Sequence, residues 1–247
     1  MKAKFYLLAL FVLSFVSIDW SQNEISTDMK SVIQLLNLDL NQVDTELSIE
    51  RPMRYIPEMI AFAIMEKENQ LDSSDNENFS YKCHVVLYNA SDKVITQTYV
   101  IENLLSDAVR LSSLNFDFAP YLVKGNLRAF GLRFNYVGSS RPNPFGEEKI
   151  TLFVIEKDKL IPILKEFTSY LYSGEWDTNC SGEFNEKRAL FTIQTTQSMG
   201  FNTILVNYKH MKTVNTPAGN GDCNSKETVA KSSEVLAVKK GLYQLLK

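Results

Sequence analysis

Hydrophobic and polar positions change their spacing several times along this chain, and each change marks an element. Phe5 to Ile18 is an unbroken apolar run, preceded by Met1-Lys2-Ala3-Lys4 and followed by Asp19-Trp20-Ser21-Gln22-Asn23. A basic start, a short apolar centre and a polar exit form the pattern of a secretory signal peptide over residues 1–22. The run is shorter than the ~20 apolar residues a spanning helix needs, so no stable membrane span is expected once the signal is cleaved.

Past the signal the period is helical. Met29, Val32, Ile33 and Leu36 share one helix face, and Ser26 or Thr27 stands where an N-cap belongs, which predicts one short amphipathic helix. From Asn37 to Pro57 the pattern weakens, and Pro52 and Pro57 argue against long regular structure there. Residues 23–57 are therefore expected to be a helix followed by an irregular segment.

Beyond Pro57 the period becomes two. Met59–Met65 reads as a strand, Glu66 to Ser80 as a long polar loop, and Tyr81–Tyr88 with Lys93–Ile101 as a β-hairpin about the turn 89–92. No element is assigned between Ile101 and Leu127. Leu127–Phe134 is a strand, Gly138 to Glu148 a loop, and Ile150–Ile155 and Lys159–Leu164 a hairpin about Glu156-Lys157-Asp158. Arg188–Ile193, Asn202–Tyr208, and a closing hairpin of Glu234–Val238 with Leu242–Leu246 complete the chain. An Ala-and-Phe strand recurs at Ala61-Phe62, Ala129-Phe130 and Ala189-Leu190-Phe191, suggesting a loose three-fold repeat, although any antiparallel meander produces similar alternation. The fold class expected is mostly β: antiparallel β-meanders forming a sandwich or propeller-like domain over 58–247, with one short N-terminal helix.

Charge then narrows the partners. Without Lys2, Lys4 and Asp19 the 26 basic and 29 acidic residues become 24 and 28, a net charge of −4. A mildly acidic surface gives no electrostatic reason to bind nucleic acid or an anionic membrane. Cys83, Cys180 and Cys223 are an odd set for an oxidising compartment. Cys180 and Cys223 lie in polar, Gly-containing stretches that read as loops and Cys83 in a strand, so the disulfide expected is Cys180–Cys223. Three Asn-x-Ser sequons, at Asn78, Asn89 and Asn179, matter only in a eukaryotic secretory pathway.

Catalytic signatures are missing from the sequence. It contains no Gly-x-Ser-x-Gly, Ser-x-x-Lys, P-loop or dinucleotide fingerprint, no zinc-ligand spacing and no EF-hand order, so neither a metal nor another cofactor is expected. His84 follows Cys83 on a strand and points to the opposite face, and a pairing of Cys83 with His210 matches no signature. Glu147-Glu148 and Glu175/Asp177 are candidate carboxylate pairs for a hydrolase.

Two stretches carry recognition-type residues. Ser173 to Glu186 holds Glu175, Trp176, Asp177 and Glu183 around Cys180, and the segment 134–146 holds Arg141 and Phe145 among Gly, Pro and Asn. Aromatic and Arg anchors on ordered loops suit recognition. The expectation is an exported, non-enzymatic binding protein that contacts a protein or glycan through Arg141, Phe145, Glu175, Trp176, Asp177 and Glu183. The alternatives are a secreted hydrolase with an unfamiliar carboxylate pair, or a structural envelope protein.

Overall fold

A computed structural model describes residues 25–72, 75–219 and 221–246, with the backbone alone for 69–72 and 75–79. The expected signal peptide lies outside the described residues, as does the side chain of the Asn78 sequon.

The first element is α1 (Thr27–Leu35), and both ends are closed by local chemistry. Ser26 Oγ accepts from the Met29 N–H at 2.9 Å and donates to Glu50 Oε2 at 2.6 Å, so one hydroxyl caps the helix and ties it to the next strand. At the other end Asn37 takes a left-handed φ of 55°; its N–H donates to Gln34 O while Leu38 N–H reaches Ile33 O, a Schellman closure.

Among the described residues twelve strands follow, all antiparallel, and in both sheets every hydrogen-bonded neighbour is also the neighbour in sequence. The first sheet holds β1 (Val43–Pro52), β2 (Met59–Asp72), β3 (Asp75–Asn89) and β4 (Val94–Ser106). The second holds β5 (Val109–Lys124), β6 (Leu127–Gly138), β7 (Phe145–Glu156), β8 (Lys159–Trp176), β9 (Gly182–Ser198), β10 (Phe201–Pro217), β11 (Cys223–Lys239) and β12 (Leu242–Leu245). Of the two arrangements expected for the β domain, the sandwich is the one formed.

The second sheet folds back on itself, and β8 turns the corner. Lys159 to Ser173 of β8 pair with β7 and Tyr170 to Trp176 with β9, and within the part that pairs with β7 alone Glu166 takes a left-handed φ of 46° at a register shift. Pro162 sits at a second shift on the same strand, where no ladder donor is needed. The fold-back brings β12 against β8 and β5 against β10.

Three apolar clusters fill the three interfaces this stacking creates. Met29, Val32 and Ile33 of α1 pack on Phe62, Ile64, Val86 and Tyr88, the outer face of the first sheet. The inner face of that sheet (Ala61, Ala63, Cys83, Val85, Leu87) meets Phe130, Leu132, Phe134 and Phe153. Within the folded second sheet, Ile150, Leu152 and Val154 meet Ile204, Val206, Leu236 and Tyr243. Alternate residues of β6 and β7 therefore serve different cores, and this explains why both strands read as nearly continuous apolar runs. Burying each large side chain contributes about 1.5–3 kcal/mol against chain entropy.

The recurring Ala-Phe pairs fall on β2, β6 and β9. In β2 and β6 the Ala and Phe enter opposite cores and are fully buried, whereas Leu190 of β9 is 69 % exposed.

Several sequence expectations are corrected. The segment 37–57 contains a ten-residue strand, β1, with Pro52 at its last position; a bulge between Asp44 and Ile49 breaks its alternation, and Ser48 Oγ spans the irregularity by donating to Asp44 O and accepting from Met65 N–H. The expected loop 66–80 is mostly hairpin, since β2 and β3 stay paired out to Asp72 and Asp75. The unassigned stretch after Ile101 carries the end of β4 and all of β5, whose alternation is interrupted by a register shift between Asp117 and Tyr121. The loop before β7 is shorter than Gly138–Glu148, because β7 begins at Phe145. The polar stretch 173–186 is likewise strand at both ends, leaving 177–181 as the turn, and Cys223 opens β11 rather than lying in a loop.

Candidate functional site: the cleft at the β7–β8–β9 corner

Where β7, β8 and β9 run side by side, register places like-facing residues in rows. Phe145 is opposite Ser173, and Ser173 is opposite Asn185; one step along, Glu175 is opposite Glu183. With Asn143, these side chains line a cleft of about 510 Å³ at one corner of the sheet. The cleft offers two carboxylates, two amides, a hydroxyl and one aromatic ring, and no cation lines it.

Cross-strand carboxylates repel each other when directly opposed. Lys212 Nζ relieves the repulsion on one side, reaching Glu183 Oε1 at 2.6 Å, and this contact holds the Glu183 carboxyl below its ordinary range. Glu175 is exposed and forms no ion pair among the described residues.

The opposite face of the same strands is aromatic. Tyr172 and Phe184 stack at 6.3 Å with rings 6° apart, and Trp176 lies 6.3 Å from Phe184. The rings lie close because the residues opposite them are glycines: Gly174 pairs with Phe184, and Gly182 with Trp176. A Cβ on Gly182 would come within 2.5 Å of Trp176 Cβ.

Of the six sequence-predicted site residues, Phe145, Glu175 and Glu183 line the cleft. The other three lie outside the lining and hold the neighbouring loop and turn. Trp176 donates its indole N–H to Arg141 O at 2.6 Å and its backbone N–H to Pro142 O, while Gly174 N–H donates to Pro144 O. Arg141 thus contributes a main-chain carbonyl, and its side chain is exposed outside the cleft. Asp177 organises the turn: its Oδ1 accepts from Asn179 N–H at 2.9 Å and Cys180 N–H at 2.8 Å, and those amides, Asn179 first, hold its carboxyl low. Ser173, Asn185 and Asn143 were missed in the sequence. Alternation through 173–175 and 183–185 would have found the first two once the turn at 177–181 had fixed the register.

The expected disulfide forms. Cys180 and Cys223, 43 residues apart with Cα atoms 5.7 Å from each other, join the 177–181 turn to the start of β11. Closing a loop of that length stabilises the fold by about 4 kcal/mol in the chain-entropy model.

The other candidate chemistry is dispersed. Glu147 and Glu148 project from opposite faces of β7, so they are not a pair: Glu147 accepts from Thr168 Oγ1 at 2.8 Å, and Glu148 accepts from Arg133 and from Ser169 Oγ. Asp177 is held by its own turn, away from the cleft lining that contains Glu175. Cys83 is completely buried between the two sheets, and burial pushes its thiol pKa well up. His210 is on β10, 2.8 Å from Ser232 Oγ, and does not share that core; His84 lies on the outer face of the first sheet with Glu66 at 2.8 Å. Among the described residues no group of three or more His, Cys, Asp and Glu is arranged to hold a metal, and no helix is long and apolar enough to cross a membrane.

No family model matches this chain, and neither a curated protein nor a solved structure is significantly similar to it.

Proposed function

We propose that the chain is an exported, non-enzymatic binding protein whose β7–β8–β9 cleft takes a glycan. The signal-like start and the Cys180–Cys223 disulfide support export, since such bonds persist in oxidising compartments. The observation that carries the reading is that Glu175, Glu183 and Asn185 share the strand face of the Phe145 ring, with Asn143 of the preceding loop lining the same cleft. Carboxylates and amides each bond two neighbouring hydroxyls, and an aromatic ring packs against the C–H face of a sugar.

A hydrolytic reading draws on the same opposed pair, Glu175 and Glu183. It needs one carboxyl to keep its proton near neutrality, which burial normally achieves. Glu175 and Glu183 are both exposed, so neither has the buried setting of a general acid, and Lys212 holds the Glu183 carboxyl low; this supports binding.

Screening the oxidised protein on an immobilised glycan panel tests the proposal, with Glu175→Ala, Asn185→Ala and Phe145→Ala as variants at partly or fully exposed positions. Capture of one glycan class, weakened by each change, is the expected result. Empty panels for the parent, or capture that all three variants retain, would overturn it; release of reducing ends from the captured glycan would move the chain to the hydrolase reading.

A further inference from the structure

A second site lies at the rim of the interface between the two sheets, and its chemistry is the opposite of the corner cleft. On β6 the face that carries Phe130, Leu132 and Phe134 into the core ends at Arg128, the residue two positions before Phe130. On β1 the face that packs Ile49 into the same core continues to Arg51. Arg54 and Tyr55 follow in the β1–β2 connection, and Phe116 and Phe118 on β5 close the opposite wall. Together they enclose a groove of about 530 Å³.

The walls are preformed. Phe116 and Phe118 are stacked at 5.5 Å with planes 7° apart, and Tyr55 meets Phe118 edge-on at 6.1 Å. Arg128 is fixed by Tyr55, whose ring lies 3.8 Å from the guanidinium carbon, and by a hydrogen bond from Nη2 to Phe118 O. Its Nε is buried and has no partner. A buried guanidinium donor without an acceptor is unfavourable, so a ligand that reaches it recovers that loss.

Charge identifies the ligand. Three guanidiniums line the groove and no carboxylate does; among the described residues none of the three forms an ion pair. On a chain whose net charge is negative, a pocket of unneutralised arginines beside stacked phenyl rings is complementary to one kind of molecule. We propose that this groove binds an amphipathic small-molecule anion: a carboxylate or sulfonate held by Arg51, Arg54 and Arg128, joined to an aromatic or similarly flat apolar body that lies against Phe116 and Phe118. The site is separate from the corner cleft and stands whether or not that cleft binds a glycan.

Calorimetric titration of the full chain with 2-naphthoate, 2-naphthylmethanol and inorganic sulfate tests the proposal. The naphthoate is expected to bind at least about tenfold more tightly than either the uncharged ring or the ring-less anion, in line with a charge-assisted hydrogen bond made beside an apolar wall. Arg51→Gln and Arg54→Gln, both at exposed positions, are each expected to weaken naphthoate about fivefold or more, and Phe118→Leu to remove the preference over sulfate. Glu175→Gln, in the corner cleft, is expected to leave all three titrations unchanged. Equal binding of naphthoate and naphthylmethanol, equal binding of naphthoate and sulfate, no naphthoate binding at all, or full affinity in both arginine variants while the thermal melts stay native would each overturn it.

Discussion

The ring of Phe184 lies directly over Gly174 of the neighbouring strand: a Cβ built on Gly174 would stand 2.4 Å from Phe184 Cδ1 and 3.2 Å from Pro144 Cγ. The glycine opens the space into which the ring packs, and through Pro144 the contact reaches the loop that forms one wall of the cleft.

Gly174→Ala is therefore expected to destabilise the fold by about 1–3 kcal/mol through overpacking. Adding Phe184→Ala should recover part of that loss, because the two residues are in contact and their effects are not additive. Chemical denaturation of the two single variants and the double variant measures the coupling; strictly additive losses would mean that the ring and the glycine do not constrain each other.

A second relationship sets the response to acid. Arg133 donates to Asp117 Oδ2 at 2.6 Å and also reaches Glu148, within a network that includes Tyr121 and Ser169. Burial alone would raise the Asp117 carboxyl, but the Ala119 N–H, Arg133 and the Tyr121 hydroxyl together hold it below its ordinary value. A carboxyl depressed in the folded state stabilises the protein fully above its unfolded pKa of ~3.9, and the contribution disappears as pH falls through the folded value. Arg133→Gln should cost about 2–3 kcal/mol at pH 7, somewhat less than a fully buried pair. Without the guanidinium, burial favours the protonated acid, so the gap between parent and variant should narrow in melts recorded from pH 7 down to pH 3. A constant gap would mean that Asp117 does not titrate through this contact.

The turn between β7 and β8 places two residues without glycine in the left-handed region, Lys157 at φ 52° and Asp158 at φ 58°. That hairpin geometry prefers glycine at the second position. Asp158→Gly is expected to raise stability by about 0.5–1 kcal/mol, and Gly241→Ala, at φ 83° in the β11–β12 turn, to lower it by about 1 kcal/mol. Thermal melts read both; a lower melting temperature for Asp158→Gly would show that the aspartate contributes more to the turn than its backbone strain removes.

The parts of the fold that could be read from the sequence are those beside a core. Met29, Val32, Ile33 and Leu36 announced α1 because one face is buried, and 81–101 announced a hairpin because Cys83, Val85 and Leu87 face one core while Val86 and Tyr88 face another. Strand ends beyond the cores could not be read. Residues 223–234 of β11 are exposed throughout, so both faces are polar and no alternation survives, although the strand is paired with β10 along this stretch. The bulges in β1 and β5 shift the period midway and hide those strands from any pattern of fixed spacing.

The same limits apply to the two sites. Phe145, Glu175 and Glu183 were found as residue types suited to recognition, yet which neighbours face the cleft follows from the register set at the 177–181 turn, and that turn was itself hidden inside a longer polar stretch. Arg51, Arg54 and Arg128 lie on two distant segments of the chain and meet only because the two sheets stack. Nothing in their local sequence distinguishes them from solvated arginines.

Because every strand is bonded to its neighbour in sequence, a pull on the two ends of this protein would open its sheets like a row of zips, loading a few hydrogen bonds at a time rather than shearing a whole strand at once. The Cys180–Cys223 bond interrupts that path. Force arriving at residue 180 crosses to residue 223 through sulfur, so β9 and β10 carry no tension and stay paired with each other while the rest of the chain extends. Under load, the covalent link would preserve the β9–β10 hairpin of the folded-back sheet after the interfaces around it have come apart.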